Sequence, residues 1–243
     1  MINPIHRIVQ KFGFDIIRYK GYRPGRFPIE DMSKLISTDQ PLIFDVGANI
    51  GQTLRSYKTQ WPKSIIHSFE PSPTTFAILS QNYLNTSDVR LWNMAMGSSI
   101  GEQTLFENTR PMLSSFLPLG EIGGGRIILE NKVSVNTIDQ FCCENNIEQI
   151  DICKIDTQGY DFEVIKGAEK TIEANKVGLL YFEIIIDDQY IGLPSLTDVF
   201  DFLNSHSFKL VTLYGFSYLR GLASETNALF IHQSYLHKPY GID

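Results

Sequence analysis

The 243-residue chain has only three cysteines, Cys142, Cys143 and Cys153. The number is odd and the spacing is neither CxxC nor zinc-like, so a disulfide framework and a Cys-rich metal site both lose support and a reducing cytoplasm fits best. Long apolar runs are also missing. The best stretch, 177–186, falls short of the roughly 20 residues needed to cross a bilayer and carries Glu183. Arg7 and Lys11 interrupt the apolar residues near the start, so a cleaved signal peptide is not expected. Nor is there an excess of base. Lys and Arg total 21 against 27 Asp and Glu, giving a formal charge of −6 and a pI near 5.4. That balance argues against a general nucleic-acid binder, whose affinity rests on many Lys and Arg contacts to phosphate.

A hydrophobic content of 43% is ample for a core. Residues 1–26 hold six basic groups against Asp15 alone. There, Ile5, Ile8, Val9, Phe12, Ile16 and Ile17 recur at near-helical spacing behind Asn3-Pro4 and predict an amphipathic helix. It serves either as a helix on the domain's flank or as a surface peripheral to an anionic membrane or a lipid-linked substrate. Gly21 to Pro28 reads as a linker, so 1–40 is expected to be a helical extension and 41–243 the main domain.

From Pro41 onward, short β-rich runs alternate with helical patterns, which predicts an α/β fold with a mostly parallel seven-stranded sheet. The expected strands are 42–46, 65–69, 89–94, 150–155, 177–184, 208–214 and 227–232, and the expected helices 51–59, 73–84, 137–145, 160–174 and 195–205. The last two strands lack an intervening helix, so one is expected to run antiparallel at or near an edge. Between Gly97 and Val135 the alternation breaks. A strand over 102–106, the loop 112–116 and the glycines Gly123, Gly124 and Gly125 read there as an insertion above the sheet, with the glycines a mobile lid or a simple turn.

The most informative segment is Asp45-Val46-Gly47-Ala48-Asn49-Ile50-Gly51, a buried strand running into a glycine turn and a helix. About 25 residues on comes Phe69-Glu70-Pro71, where a carboxylate at a strand end can take both hydroxyls of an adenosine ribose. A dinucleotide site wants GxGxxG so that helix amides cradle a pyrophosphate, but Asn49 and Gln52 occupy the second and third glycine positions. S-adenosylmethionine has no phosphate, and its sulfonium end suits an acidic Asp45. These segments, with Asn93, Ala95, Gly97 and Lys154-Ile155-Asp156-Thr157-Gln158-Gly159-Tyr160-Asp161, resemble the FkbM family of class I methyltransferases with a Rossmann-like fold. The resemblance implies O-methylation of a small-molecule or glycan acceptor, with S-adenosylmethionine held by Asp45, Gly47, Ala48, Asn49, Gly51, Glu70 and Pro71 and its adenine near Asn93 and Ala95. Gln158 and Asp161 depart from the glutamates that are common in the family's fourth-strand motif.

In open parallel sheets ligands sit beyond the carboxyl ends of the strands, which makes Asp156 and Glu183 the candidate general bases. Their alternatives are a cap before the following helix for Asp156 and a buried partner of Lys154 for Glu183. Asp156, Glu183, Asp187 and Asp188 also form a hard-oxygen set suited to Mg2+, although a site without metal is preferred. His67, inside a strand, reads as a core residue rather than a base. The rival readings are a catalytically degenerate S-adenosylmethionine-binding module and an NAD-dependent oxidoreductase.

Overall fold

The computed structural model describes residues 22–236 and three isolated positions before them, so the amphipathic helix expected near residue 4 falls almost wholly outside the described residues. After helix α1 (Pro28–Leu35), the chain alternates β1 (Leu42–Val46), α2 (Gln52–Gln60), β2 (Ile65–Phe69), α3 (Pro73–Tyr83) and β3 (Val89–Trp92). The interruption follows: β4 (Ala95–Met96), β5 (Gly101–Asn108) and β6 (Ile127–Asn136). Alternation resumes with α4 (Ile138–Glu144), β7 (Ile150–Ile155), α5 (Asp161–Lys166), α6 (Glu169–Glu173), β8 (Val177–Ile185) and α7 (Leu196–Ser205). Three strands end the chain: β9 (Phe208–Leu213), β10 (Ser217–Leu219) and β11 (Leu222–His232).

The main sheet runs β3-β2-β1-β7-β8-β11, with β9 and β10 both paired to the outer edge of β11. The first five strands are parallel, and β11 is antiparallel to β8. The expected mostly parallel sheet is therefore present, with its antiparallel strand, β11, near one edge, and the short β10 makes the strands eight rather than seven. Strand order reverses at β1, which has β2 on one side and β7 on the other, and such a reversal opens a crevice beyond the strand ends. One face carries an apolar layer including Phe44, Phe69, Ile155 and Phe182 under α4 to α7. The opposite face packs Ile43, Ile66, Ile152 and Leu179 against Met32, Leu54 and Leu79 of the first three helices.

Local chemistry sets the helix boundaries. Ser72 accepts from the Thr75 amide at 3.3 Å ahead of Pro73, and Thr137 accepts from the Gln140 amide at 3.1 Å. The single helix expected over 160–174 is two, because Gly167 caps α5 and Asp139 captures the amides of Lys170 and Thr171 that open α6. His67 is fully buried and stacks on Trp92. Burial, then the nearby Arg90 charge, lowers its pKa to about 4, which keeps it neutral at physiological pH.

The insertion over 97–135 contains the expected strand and more than that. β5 and β6 form a long antiparallel hairpin joined by β4 into a second, three-stranded sheet. The three consecutive glycines make a turn at its tip, pinned where Asn108 donates to Gly124 O at 2.8 Å. The neighbouring residues 111–116 lie over the crevice instead.

Candidate functional site

The turn after β1 is built by three strands at once. The amides of Gly47 and Ala48 both donate to Phe69 O of β2 at 3.0 Å, and the Asp156 amide beyond β7 donates to Val46 O at 3.0 Å. Gly47 has a φ of +75°, and a Cβ there would fall 1.9 Å from the Asp156 carbonyl oxygen, so only glycine fits. Gly51 is held against Tyr83, whose hydroxyl donates to Gly51 O at 2.6 Å.

Beyond this turn lies a cavity of about 310 Å³. Gly47, Asn49, Glu70, Pro71, Ala95, Asp156 and Glu183 all line it, so seven of the residues singled out in the sequence converge there. Ala48, Gly51 and Asn93 do not. Asn93 instead donates to Glu70 O and Pro71 O, fixing the end of β2.

Asp45 is the main correction. It is completely buried, lies off the cavity wall and pairs with Lys154 at 3.0 Å, so it neutralises that ammonium rather than meeting a cationic ligand. Burial raises its pKa, and Lys154 opposes the shift. Burial alone would lower the Lys154 pKa, but Asp45, Asp156 and Asp161 together hold it raised. Lys154 also donates to Gly47 O at 2.9 Å and lies 3.7 Å from Asp156. The alternative that Lys154 partners Glu183 gives way to the Lys154–Asp45 pair.

Glu70 is pinned by two backbone amides: Asn49 N on Oε2 and Ser72 N on Oε1, each at 2.9 Å. Burial outweighs those donors and lifts its pKa to about 7. Glu183, on β8, is raised further, to about 9, by burial and then by the charges of Asp156, Asp161 and Glu225. Asp187 and Asp188 stand off the cavity, and the Ser224 hydroxyl donates to Asp187. The four acids considered for Mg2+ are therefore not gathered into one ligand set.

Gln158 joins the acids. Its amide nitrogen donates to Asp156 Oδ1 at 3.1 Å and to Glu183 Oε2 at 2.9 Å, while its Oε1 lies 3.2 Å from the Tyr190 hydroxyl. Its backbone is left-handed, with φ +56°, and its carbonyl accepts from Ser115 of the overlying loop at 2.7 Å. A glutamate there would put a third carboxylate against two others. Sequence reasoning noticed Gln158 only as a departure from the family pattern. It did not single out Glu225, on β11, or the apolar wall of Met94, Met96 and Leu105, because nothing local shows that these strand residues face the cavity.

Comparisons with known proteins bear on the family and the fold. The chain is 27% identical, over 74% of its length and 77% of the relative's, to the 2-O-methyltransferase NoeI of Sinorhizobium fredii. It is 24% identical to the hexuronic acid methyltransferase AglP of Haloferax volcanii, over 60% of this chain and 58% of that protein. A solved FkbM methyltransferase from Methylobacillus flagellatus KT shares the fold, with a TM-score of 0.53 and 16% identity across 86% of this chain and 48% of that one. The family model for the methyltransferase FkbM domain matches residues 45–210, from the tip of β1 into β9, and the chain belongs to that family of S-adenosylmethionine-dependent methyltransferases.

Proposed function

We propose that the cavity holds S-adenosylmethionine with its ribose on Glu70, and that the protein transfers methyl to a hydroxyl of a saccharide or natural-product acceptor. The observation that carries this reading is the convergence of the Gly47 turn, the amide-tethered Glu70 and the acidic tips of β7 and β8 at the strand-order reversal. The lining fits that donor: among the described residues it contains no Lys or Arg for a pyrophosphate, and Asp156 and Glu183 suit a positive sulfur. The missing Cβ of Gly47 lets a ligand approach the backbone closely. The two relatives described above, a 2-O-methyltransferase and a hexuronic acid methyltransferase, support a sugar oxygen as acceptor.

When bound, S-adenosylmethionine supplies an electrophilic methyl group on positively charged sulfur. The remaining work falls to the chain. Glu183 removes the proton of the attacking hydroxyl, and a positive charge nearby favours its ionised form, bringing a strongly raised carboxyl toward the working pH. Gln158 fixes Glu183 and Asp156 relative to one another, so the base is oriented before the acceptor arrives. Met112, Leu113 and Phe116 cover the crevice with apolar surface and exclude water.

Calorimetric titration with S-adenosylmethionine and with NAD, followed by turnover of labelled donor on a saccharide panel, tests this reading. Binding of the first alone, with an acceptor-dependent mass gain of about 14 Da for the added methylene, is expected. Preference for NAD, or donor binding without turnover on any hydroxyl acceptor, would count against it.

The titration should also depend on pH. Glu70 is half-protonated near pH 7 in the empty cavity, and a cation bearing hydroxyl donors favours its ionised form, so binding releases a proton. Affinity for S-adenosylmethionine is expected to rise from pH 6 to 7.5 and to flatten in Glu70→Gln. A wild-type affinity that falls over that interval would contradict the assignment.

A further inference from the structure

Four carboxylates, Glu70, Asp156, Glu183 and Glu225, line this cavity, and among the described residues no Lys, Arg or His does. The nearest buried base, Lys154, has a side chain only 5% exposed and is already engaged by Asp45, Asp156 and Gly47 O. It has little left to offer a substrate anion. S-adenosylmethionine carries a sulfonium, an ammonium and a carboxylate, a net single positive charge set against four carboxyl groups; burial holds Glu183 and Glu70 wholly or partly protonated in the empty cavity, and a second cation would draw both toward their ionised forms.

The surplus sits on the acceptor side. Glu183 of β8 pairs in register with Asn227 of β11, and Glu225 lies two residues along the same strand, so both carboxylates project from one face of neighbouring strands. Diagonal neighbours of this kind are roughly 7–8 Å apart, close enough for one ammonium to serve both. Glu225 receives only neutral donors, Ser217 Oγ at 3.0 Å and Gln189 Nε2 at 3.3 Å. The two groups feel each other, since the charge of Glu225 helps to raise the Glu183 carboxyl.

We infer that the acceptor bears a protonated amine near its reacting hydroxyl, as an amino sugar does, and that acceptors with a carboxylate or phosphate at that position are rejected. This deepens the methyl-transfer reading and rests on it. A hexuronic acid, the acceptor class of one relative, would bring a fifth carboxylate into this wall with no cation to meet it. Juxtaposed like charges at an interface are disfavoured, so discrimination of about tenfold or more is expected.

The test uses the protein loaded with S-adenosylhomocysteine and three matched probes, the methyl glycosides of glucosamine, glucose and glucuronic acid, with binding followed by saturation-transfer NMR at pH 7. The glucosaminide is expected to bind at least about tenfold more tightly than the glucuronide, with the glucoside between them. A glucuronide that binds as well as the glucoside, or a glucosaminide that does not bind at all, overturns the inference. Glu225→Gln should narrow the amine-to-acid ratio several-fold, and a ratio left unchanged overturns the role of the acidic pair. If S-adenosylhomocysteine itself fails to bind in a preliminary calorimetric titration, the methyl-transfer reading fails instead.

Discussion

Glu183→Gln is expected to lower kcat by about 10²–10⁴-fold, the range that general base catalysis contributes, while changing donor affinity far less. The substitution is nearly isosteric, and the new amide can still accept from Gln158, so the fold and the orientation of residue 158 are retained. What disappears is the proposed base. Burial and three neighbouring carboxylates raise Glu183 to about 9 in the empty cavity, and any cation beside it pulls that value back toward neutrality. The wild-type rate should therefore climb with pH through the titration of Glu183 in the loaded enzyme, and the variant should lose that limb. Single-turnover kinetics across pH 6 to 9 measure both effects. A kcat within threefold of wild type, with the pH limb intact, would remove Glu183 as the base and turn attention to Asp156.

The second large effect concerns stability. Lys154→Met is expected to destabilise the fold by about 3–5 kcal/mol near neutral pH, because it leaves Asp45 buried without its countercharge. Chemical denaturation with wild type as reference measures the loss. Its pH dependence follows from the direction of the Asp45 shift. A carboxyl raised in the native state binds its proton more tightly there than in the unfolded chain, whose value is near 3.9, so stability falls as pH rises between the two values. Removing Lys154 removes what opposes the shift and pushes the native value higher still. The deficit should consequently be greatest above neutrality and shrink as pH falls toward 5. Asp45→Asn combined with Lys154→Met should recover most of the loss, since replacing both members of a buried pair is far milder than removing one. A single variant as stable as wild type at pH 8 would show that the pair is not needed.

The parts of this molecule legible in its sequence were those with strong local signals. β1, β2 and β7 fall where the apolar runs place them, because strands buried on both faces read as unbroken hydrophobic stretches. Glu70 was found because its position depends on a strand end. Asp45 was misjudged because nothing local says which way a strand-end carboxylate faces. Its partner lies 109 positions away in the chain, and the pairing follows from the lateral contact of β1 with β7. The second sheet escaped notice for a similar reason. Ile128 and Leu129 on β6 are exposed, so their apolar side chains give no alternation to read. Helix α1 was not marked out within the 1–40 extension, yet Met32 is fully buried and Asp31 accepts from Tyr214 at 2.9 Å across 183 positions.

The long reach between Asp45 and Lys154 has a consequence for synthesis. Translation delivers β1 well before the segment that supplies its neutralising ammonium, so a nascent chain halted anywhere before residue 154 carries an aspartate that cannot be interred without penalty. Closure of the first half against itself is thereby disfavoured until β7 has left the ribosome. The same event brings Asp156 to the crevice, whose wall is therefore completed only with the central strands.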